Sequence, residues 1–281
     1  MQTFFEILKA VVQGIVEGVT EWLPISSTGH IILLEEFLRF NVSQEFFNVF
    51  KVVIQLGAIM AVVILYFHRL NPFSPKKTPQ QRNEIWHMWF KVAVATIPAA
   101  VIGFLFDDFI DEKLSTPIVI AATLIIYGIL FIWIENQKRR PTVSRIVELN
   151  YTMALYIGGF QMLALIPGTS RSGATILGAI LLGASRPVAA EFSFFMSIPV
   201  MFGASLYKIL DYIKDNGFNF TGTEIAVLLV GTLVSFIVSV FVIKFLMSYI
   251  KRHDFKVFGY YRIALGIVII LYFGIRTLLL A

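Results

Sequence analysis

Two carboxylates, Glu17 and Glu21, stand four residues apart in a stretch otherwise built of Ile15, Val16, Val19, Trp22 and Leu23. On a helix this spacing puts both on one face. Ionisable groups in so apolar a segment are costly unless they face a cavity, pair with an opposite charge or bind a cation, and two adjacent anions also repel each other. A bound divalent metal resolves both difficulties. Carboxylate oxygens suit Mg²⁺ or Ca²⁺, and Mg²⁺ is commonly held by one or two carboxylates plus phosphate oxygens. A protonated glutamate, or one paired with an arginine, is the alternative.

Directly after the carboxylates comes Pro24-Ile25-Ser26-Ser27-Thr28-Gly29-His30. If a helix restarts there, its free backbone N–H groups attract anions such as a diphosphate. Ser27 and His30 then lie one turn apart, a hydroxyl beside an imidazole, which is the minimal pairing of a nucleophile with a general acid or base. Ser26 and Thr28 serve equally well as plain helix caps. A second cluster, Pro167-Gly168-Thr169-Ser170-Arg171-Ser172-Gly173 followed by Thr175, repeats the theme. Its Arg171 has no carboxylate near it in sequence, so burial would require an anion, and arginine grips phosphate through two parallel hydrogen bonds. Candidate catalytic residues are therefore Ser27, His30, Glu21, Glu17 and Arg171, with Ser26, Thr28, Ser170, Arg171, Ser172 and Thr175 as candidate phosphate-binding groups and Glu17 and Glu21 as candidate metal ligands. Convergence of these groups would match phosphoryl transfer, which needs positioning and charge neutralisation above all. Gly14 and Gly18 form a small-xxx-small pair that lets another helix approach, a packing role.

The elements that must position these residues belong to a membrane protein. With 57% hydrophobic and 15% charged residues among 281, and a mean hydropathy of +0.79, the chain is too apolar for a soluble domain of ordinary composition. Apolar runs recur from end to end and leave no stretch for a separate soluble core, so one all-α polytopic membrane domain is expected. The net charge of +5 is clustered into a few loops, which argues against a nucleic-acid partner. The absence of cysteine removes disulfides, thiolate metal sites and a cysteine nucleophile. Met1 to Ala10 lacks the cationic region and cleavage site of a signal peptide and is expected to stay in the mature chain.

Spanning helices are expected near 47–67, 88–106, 117–136, 189–210, 224–249 and 258–280. Residues 5–40 and 150–186 are apolar too, but each is broken in the middle by the proline, glycine and hydroxyl clusters described above. Irregular backbone at membrane depth survives only where protein or a water-filled cavity surrounds it, so each reads as a re-entrant hairpin lining a site, or otherwise as a kinked spanning helix. The basic stretches at His68 to Lys91, at 137–145 and at Lys251 to Arg262 are expected to be cytoplasmic. Asp107, Asp108, Asp111 and Glu112, and likewise Asp211, Asp215 and Glu224, then fall on the outer side. This threading sends the two hairpins in from opposite faces, so that their tips meet. Glu45-Phe46, Gly57-Ala58 and Tyr66 recur at identical spacing as Glu191-Phe192, Gly203-Ala204 and Tyr212, the trace of an inverted repeat over residues 1–136 and 150–281 with a cytoplasmic linker at 137–149.

Glu17-Gly18-Val19-Thr20-Glu21-Trp22-Leu23-Pro24-Ile25-Ser26-Ser27-Thr28-Gly29-His30 resembles the first motif, and Pro167 to Thr175 the second, of the undecaprenyl pyrophosphate phosphatases of the bacitracin-resistance type. The likeness runs on through Val53 to Gly57 and Glu191 to Phe194, and the departures inside the motifs, Trp22 for phenylalanine and Thr169 for an apolar residue, are conservative. The resemblance implies hydrolysis of a C55 isoprenoid diphosphate to the monophosphate, recycling the lipid carrier of bacterial cell-wall synthesis, with a divalent cation as cofactor. It implies a bacterial inner-membrane location, an outward-facing pocket and an inverted repeat with two re-entrant hairpins, and it leaves room for a homodimer. Residue by residue, it makes Glu17 and Glu21 the acidic pair for metal and water, Ser27 the nucleophile, His30 the acid or base and Arg171 a phosphate ligand. Whether Ser27 forms a phosphoenzyme or positions water is left open. Opposed hairpins are also a transport architecture, so a carrier of organic or lipid anions is the rival class. A different lipid phosphatase class lacks support, because its histidine and aspartate do not follow Ser170-Arg171.

Overall fold

Hydroxyl and amide side chains open most of the helices: Ser26, Ser43, Thr78, Thr116, Asn150, Ser170 and Thr221 each accept a hydrogen bond from a backbone N–H in the first turn that follows. Such caps satisfy one of the donors that every helix start leaves open. The computed structural model describes residues 2–217 and 219–280; Met1, Phe218 and Ala281, and the side chains of Gln2, Asp107, Asp108, Phe109, Asp111 and Leu280, lie outside the described residues.

The helices are α1 (Gln2–Thr20), α2 (Ser27–Phe37), α3 (Gln44–Leu65), the single turn α4 (Phe67–Leu70), α5 (Pro79–Leu114), α6 (Pro117–Asn136), α7 (Tyr151–Leu163), α8 (Arg171–Leu181), α9 (Arg186–Asn216), α10 (Gly222–Tyr249) and α11 (Lys256–Leu280). Six of them, α3, α5, α6, α9, α10 and α11, are long and apolar enough to cross a bilayer. No strand occurs among the described residues; a lone bridge joins Val143 to Ala184 and ties the 137–149 linker to the turn between α8 and α9. The protein is an all-α polytopic membrane protein. Both expected broken segments are helix, turn, helix: α1 and α2 around residues 21–26, and α7 and α8 around 164–170.

The packing of one half of the chain has a counterpart in the other. α1 lies on α10 and α7 on α5; α3 contacts α10 while α9 contacts α5; α3 packs on α9 and α6 on α11. The close approaches correspond as well. A Cβ on Gly14 would stand 2.6 Å from the Gly231 carbonyl oxygen, and Gly158 presses on the Ala95 carbonyl in the same way. Gly128 faces Gly259 across the α6–α11 contact, and Gly266 faces Ala121. Gly14 and Gly18 thus have the packing role expected of them, against Gly231 and Ser235 of α10.

Two charged stretches differ from expectation. α5 begins at Pro79 with a full capping box at Thr78 and Gln81, so Arg82 and Lys91 are helical and not part of a loop. Lys91 is buried and donates to the Val147 carbonyl at 3.3 Å. Arg262 lies within α11 and is wholly buried, so it does not belong to a cytoplasmic loop.

A candidate active site where two helical turns meet

Ser26 and Ser170 occupy the same position in the two halves. Each precedes a helix, each has a left-handed backbone (φ 72° and 71°), and each turns its hydroxyl onto the N–H of the glycine three residues on, Gly29 at 3.3 Å and Gly173 at 3.2 Å. Left-handed backbone is uncommon outside glycine and gathers where the surroundings hold it against strain. Here the cap hydrogen bond supplies part of that hold. Gly168, at φ 87°, makes the second turn sharp; a Cβ there would stand 2.6 Å from the Ile120 carbonyl oxygen. The first N–H groups of α2 and α8, those of Ser27, Thr28, Arg171 and Ser172, have no partner inside their helices.

The two turns touch. Arg171 Nη2 donates to Glu21 Oε1 at 3.1 Å and its Nη1 to the Ser193 carbonyl at 2.9 Å. Ser172 Oγ donates to the Glu21 carbonyl at 3.0 Å. Thr175 Oγ1 donates to the Arg171 carbonyl at 2.9 Å and lies 2.7 Å from Ser193 Oγ. Glu21 therefore has an arginine partner from the other hairpin, the alternative that the isolated carboxylate pair had left open. Glu17, wholly buried one turn away, has neither oxygen hydrogen-bonded, and the Arg171 Nε–H is likewise buried and unpaired. An orphaned carboxylate beside a second carboxylate fits a hard cation. Among the described residues no cluster of three or more His, Asp or Glu exists, so such a cation would take its remaining ligands from phosphate oxygens or water.

His30 does not bond to Ser27. Its Nδ1 lies 2.7 Å from the Ser26 carbonyl and its Nε2 2.7 Å from the Tyr261 hydroxyl. A carbonyl can only accept, so Nδ1 carries a proton, and in the neutral form of the ring Nε2 is the basic atom, facing the Tyr261 hydroxyl. Ser27 and Thr28, at the opening of α2, have no hydrogen-bond partner for their hydroxyls among the described residues, whereas Ser26, Ser170, Ser172 and Thr175 all use theirs within the protein. Farther along α2 a cavity of about 490 Å³ is lined by Ile32, Glu35, Glu36, Arg39, Phe47 and Phe273.

Three site residues escaped the sequence pattern: Tyr261, Arg262 and Ser193. Arg262 donates to carbonyls of both turns, Pro24 at 3.2 Å, Gly168 at 3.0 Å and Thr169 at 2.8 Å. The available signal was an arginine followed by the unbroken apolar run from Ile263 to Phe273.

A family profile described as "Bacitracin resistance protein BacA" matches residues 10–268. The chain belongs to that family. Relatives named undecaprenyl-diphosphatase include one from Acetivibrio thermocellus, 59% identical over 95% of this chain and 98% of its own. One from Enterococcus faecalis is 57% identical over 95% and 97%, and one from Streptococcus thermophilus 54% identical over 99% and 96%. In this bacitracin resistance family member, both motif-bearing turns fall inside the matched region.

Proposed function

We infer that this protein hydrolyses undecaprenyl diphosphate to undecaprenyl phosphate and inorganic phosphate, regenerating the lipid carrier of bacterial cell-wall synthesis and so conferring bacitracin resistance. One observation supports the assignment of the site: two capped helix starts from distant parts of the chain abut through the Arg171–Glu21 pair, beside buried carboxylates. The phosphatase names of near full-length relatives speak against the anion carrier.

In this reading the terminal phosphate lies between the α2 and α8 starts, its oxygens receiving the free N–H groups of Ser27, Thr28, Arg171 and Ser172 and the unpaired Nε–H of Arg171. Ser27 Oγ attacks the terminal phosphorus as the bridging P–O bond to the lipid monophosphate breaks. His30 Nε2, which rests against the Tyr261 hydroxyl, would exchange that contact for the Ser27 hydroxyl to take the departing proton. Water then cleaves the phosphoserine and returns the serine hydroxyl. Glu17 and Glu21 would hold a divalent cation, Mg²⁺ or Ca²⁺, which when bound neutralises diphosphate charge.

The protein sits in the bacterial inner membrane with α1–α2 and α7–α8 as re-entrant hairpins of an inverted repeat, residues 1–136 and 150–281. The matched helix contacts and the twin Ser26 and Ser170 caps support this arrangement. The basic loops expected on the cytoplasmic face put the open ends of α1 and α2 on the outer side, and the pocket would open there. A homodimer is compatible with this layout.

The test is inorganic phosphate release from undecaprenyl or farnesyl diphosphate by purified protein, with and without Mg²⁺ or Ca²⁺. Release should require the cation and fall by roughly a hundredfold or more in Ser27→Ala and Glu21→Gln. An acid-stable phosphoserine trapped in wild type marks the covalent route; its absence, with residual turnover in Ser27→Ala, makes Ser27 a residue that positions water. No release from monodisperse wild type would sink the assignment.

A further inference from the structure

Arg262 of α11 is a wholly buried guanidinium, and among the described residues it forms no ion pair with a carboxylate. All its hydrogen bonds go to backbone carbonyls: Nε to Leu124 of α6 at 3.5 Å, Nη1 to Pro24 of the first turn at 3.2 Å, and Nη2 to Gly168 and Thr169 of the second turn at 3.0 and 2.8 Å. Its guanidinium also lies 5.5 Å from the Tyr127 ring centre. Burying such a group is costly unless its donors are satisfied, and here four carbonyl dipoles from three elements do so.

The identity of those carbonyls matters. Pro24 lies two residues before the Ser26 cap, and Gly168 and Thr169 lie directly before the Ser170 cap. Carbonyl oxygens facing a diphosphate would repel it, whereas the N–H groups that follow attract it. A planar fork can collect carbonyls of both turns from one point; an ammonium on a shorter stem cannot reproduce that geometry. We propose that Arg262 is a positioning residue for the reaction: it draws the carbonyls of both turns to itself, holds the turns in register, and so aligns the two helix starts on one diphosphate. Gly173, where a Cβ would stand 3.0 Å from Arg262 Nη1, keeps the fork close to the second helix start.

The proposal rests on the phosphatase reading only for its kinetic arm. The chain contains no cysteine, so spin labels can be placed at Phe37→Cys, at the end of α2, and Leu163→Cys, at the end of α7, both exposed. Their separation reports how the two hairpins are held. In full-length purified protein, Arg262→Lys should lower turnover of farnesyl diphosphate by roughly tenfold or more and raise KM, and Arg262→Met should do so further. The distance distribution should broaden in the same order. If Arg262→Met does not fold, Arg262→Lys decides. Turnover within about twofold of wild type in Arg262→Lys would overturn the proposal. A narrow, unchanged distance with turnover lost would overturn it too, since Arg262 would then act in the chemistry and not on the turns. Should wild type release no phosphate, the phosphatase reading fails while the distance arm still tests the tether.

Discussion

Arg171 reaches Glu21 and the Ser193 carbonyl with its two terminal nitrogens and leaves Nε–H buried and unpaired. That geometry uses the planar fork, so Arg171→Lys should cut phosphate release by roughly tenfold or more although the charge is kept. Near-normal release would reduce Arg171 to a point charge. The reactive residue types were legible in the sequence because carboxylates, hydroxyls, a histidine and an arginine stand out against apolar surroundings. Glu17, Glu21, Ser172 and Arg171 do come together. Their partners were not legible. The Ser193 and Ser26 carbonyls and the Tyr261 hydroxyl are groups of ordinary composition, made specific only by the fold. The Ser27–His30 pairing drawn from helical spacing gives way to His30 contacts with Ser26 and Tyr261, since a ring at that position reaches back to the cap carbonyl one turn earlier.

At the level of the helices, α6 and α11 approach closely because glycine faces glycine. A Cβ on Gly128 would stand 2.7 Å from both the Gly259 carbonyl and Ile263 Cγ1. Gly128→Val should therefore cost about 1–3 kcal/mol, as overpacking does. It would be read as a lowered thermal midpoint in detergent, and turnover should fall with it because α6 and α11 carry Leu124 and Arg262. The sequence located all six long helices, since runs of that hydropathy at that length have few alternatives. It missed the start of α5, where a capping box at Thr78 and Gln81 extends the helix through polar residues that hydropathy alone reads as loop.

Across the molecule the two halves match in their contacts but not in their tightness. Gly57 presses against Thr232 of α10, while its counterpart Gly203 has open space around it and Ala204 is exposed where Ala58 is buried. Gly57→Leu should accordingly destabilise the protein by about 1–3 kcal/mol, whereas Gly203→Leu should leave the midpoint near wild type; equal losses in thermal melts would contradict the asymmetry. The repeat spacing in the sequence pointed to paired positions such as Gly57 and Gly203, but not to this difference, which depends on how the helices settle against each other. The last helix of each half also grips the other half: Glu135 at the end of α6 binds Arg186 at the start of α9, and Arg276 of α11 binds Glu36 of α2. Glu17, Glu21, Ser27 and His30 come from the first half, while Arg171, Tyr261 and Arg262 come from the second. Cut within the 137–149 linker and produced as two polypeptides, the halves should be inactive apart and regain activity when co-expressed, a fragment complementation in which assembly itself creates the enzyme.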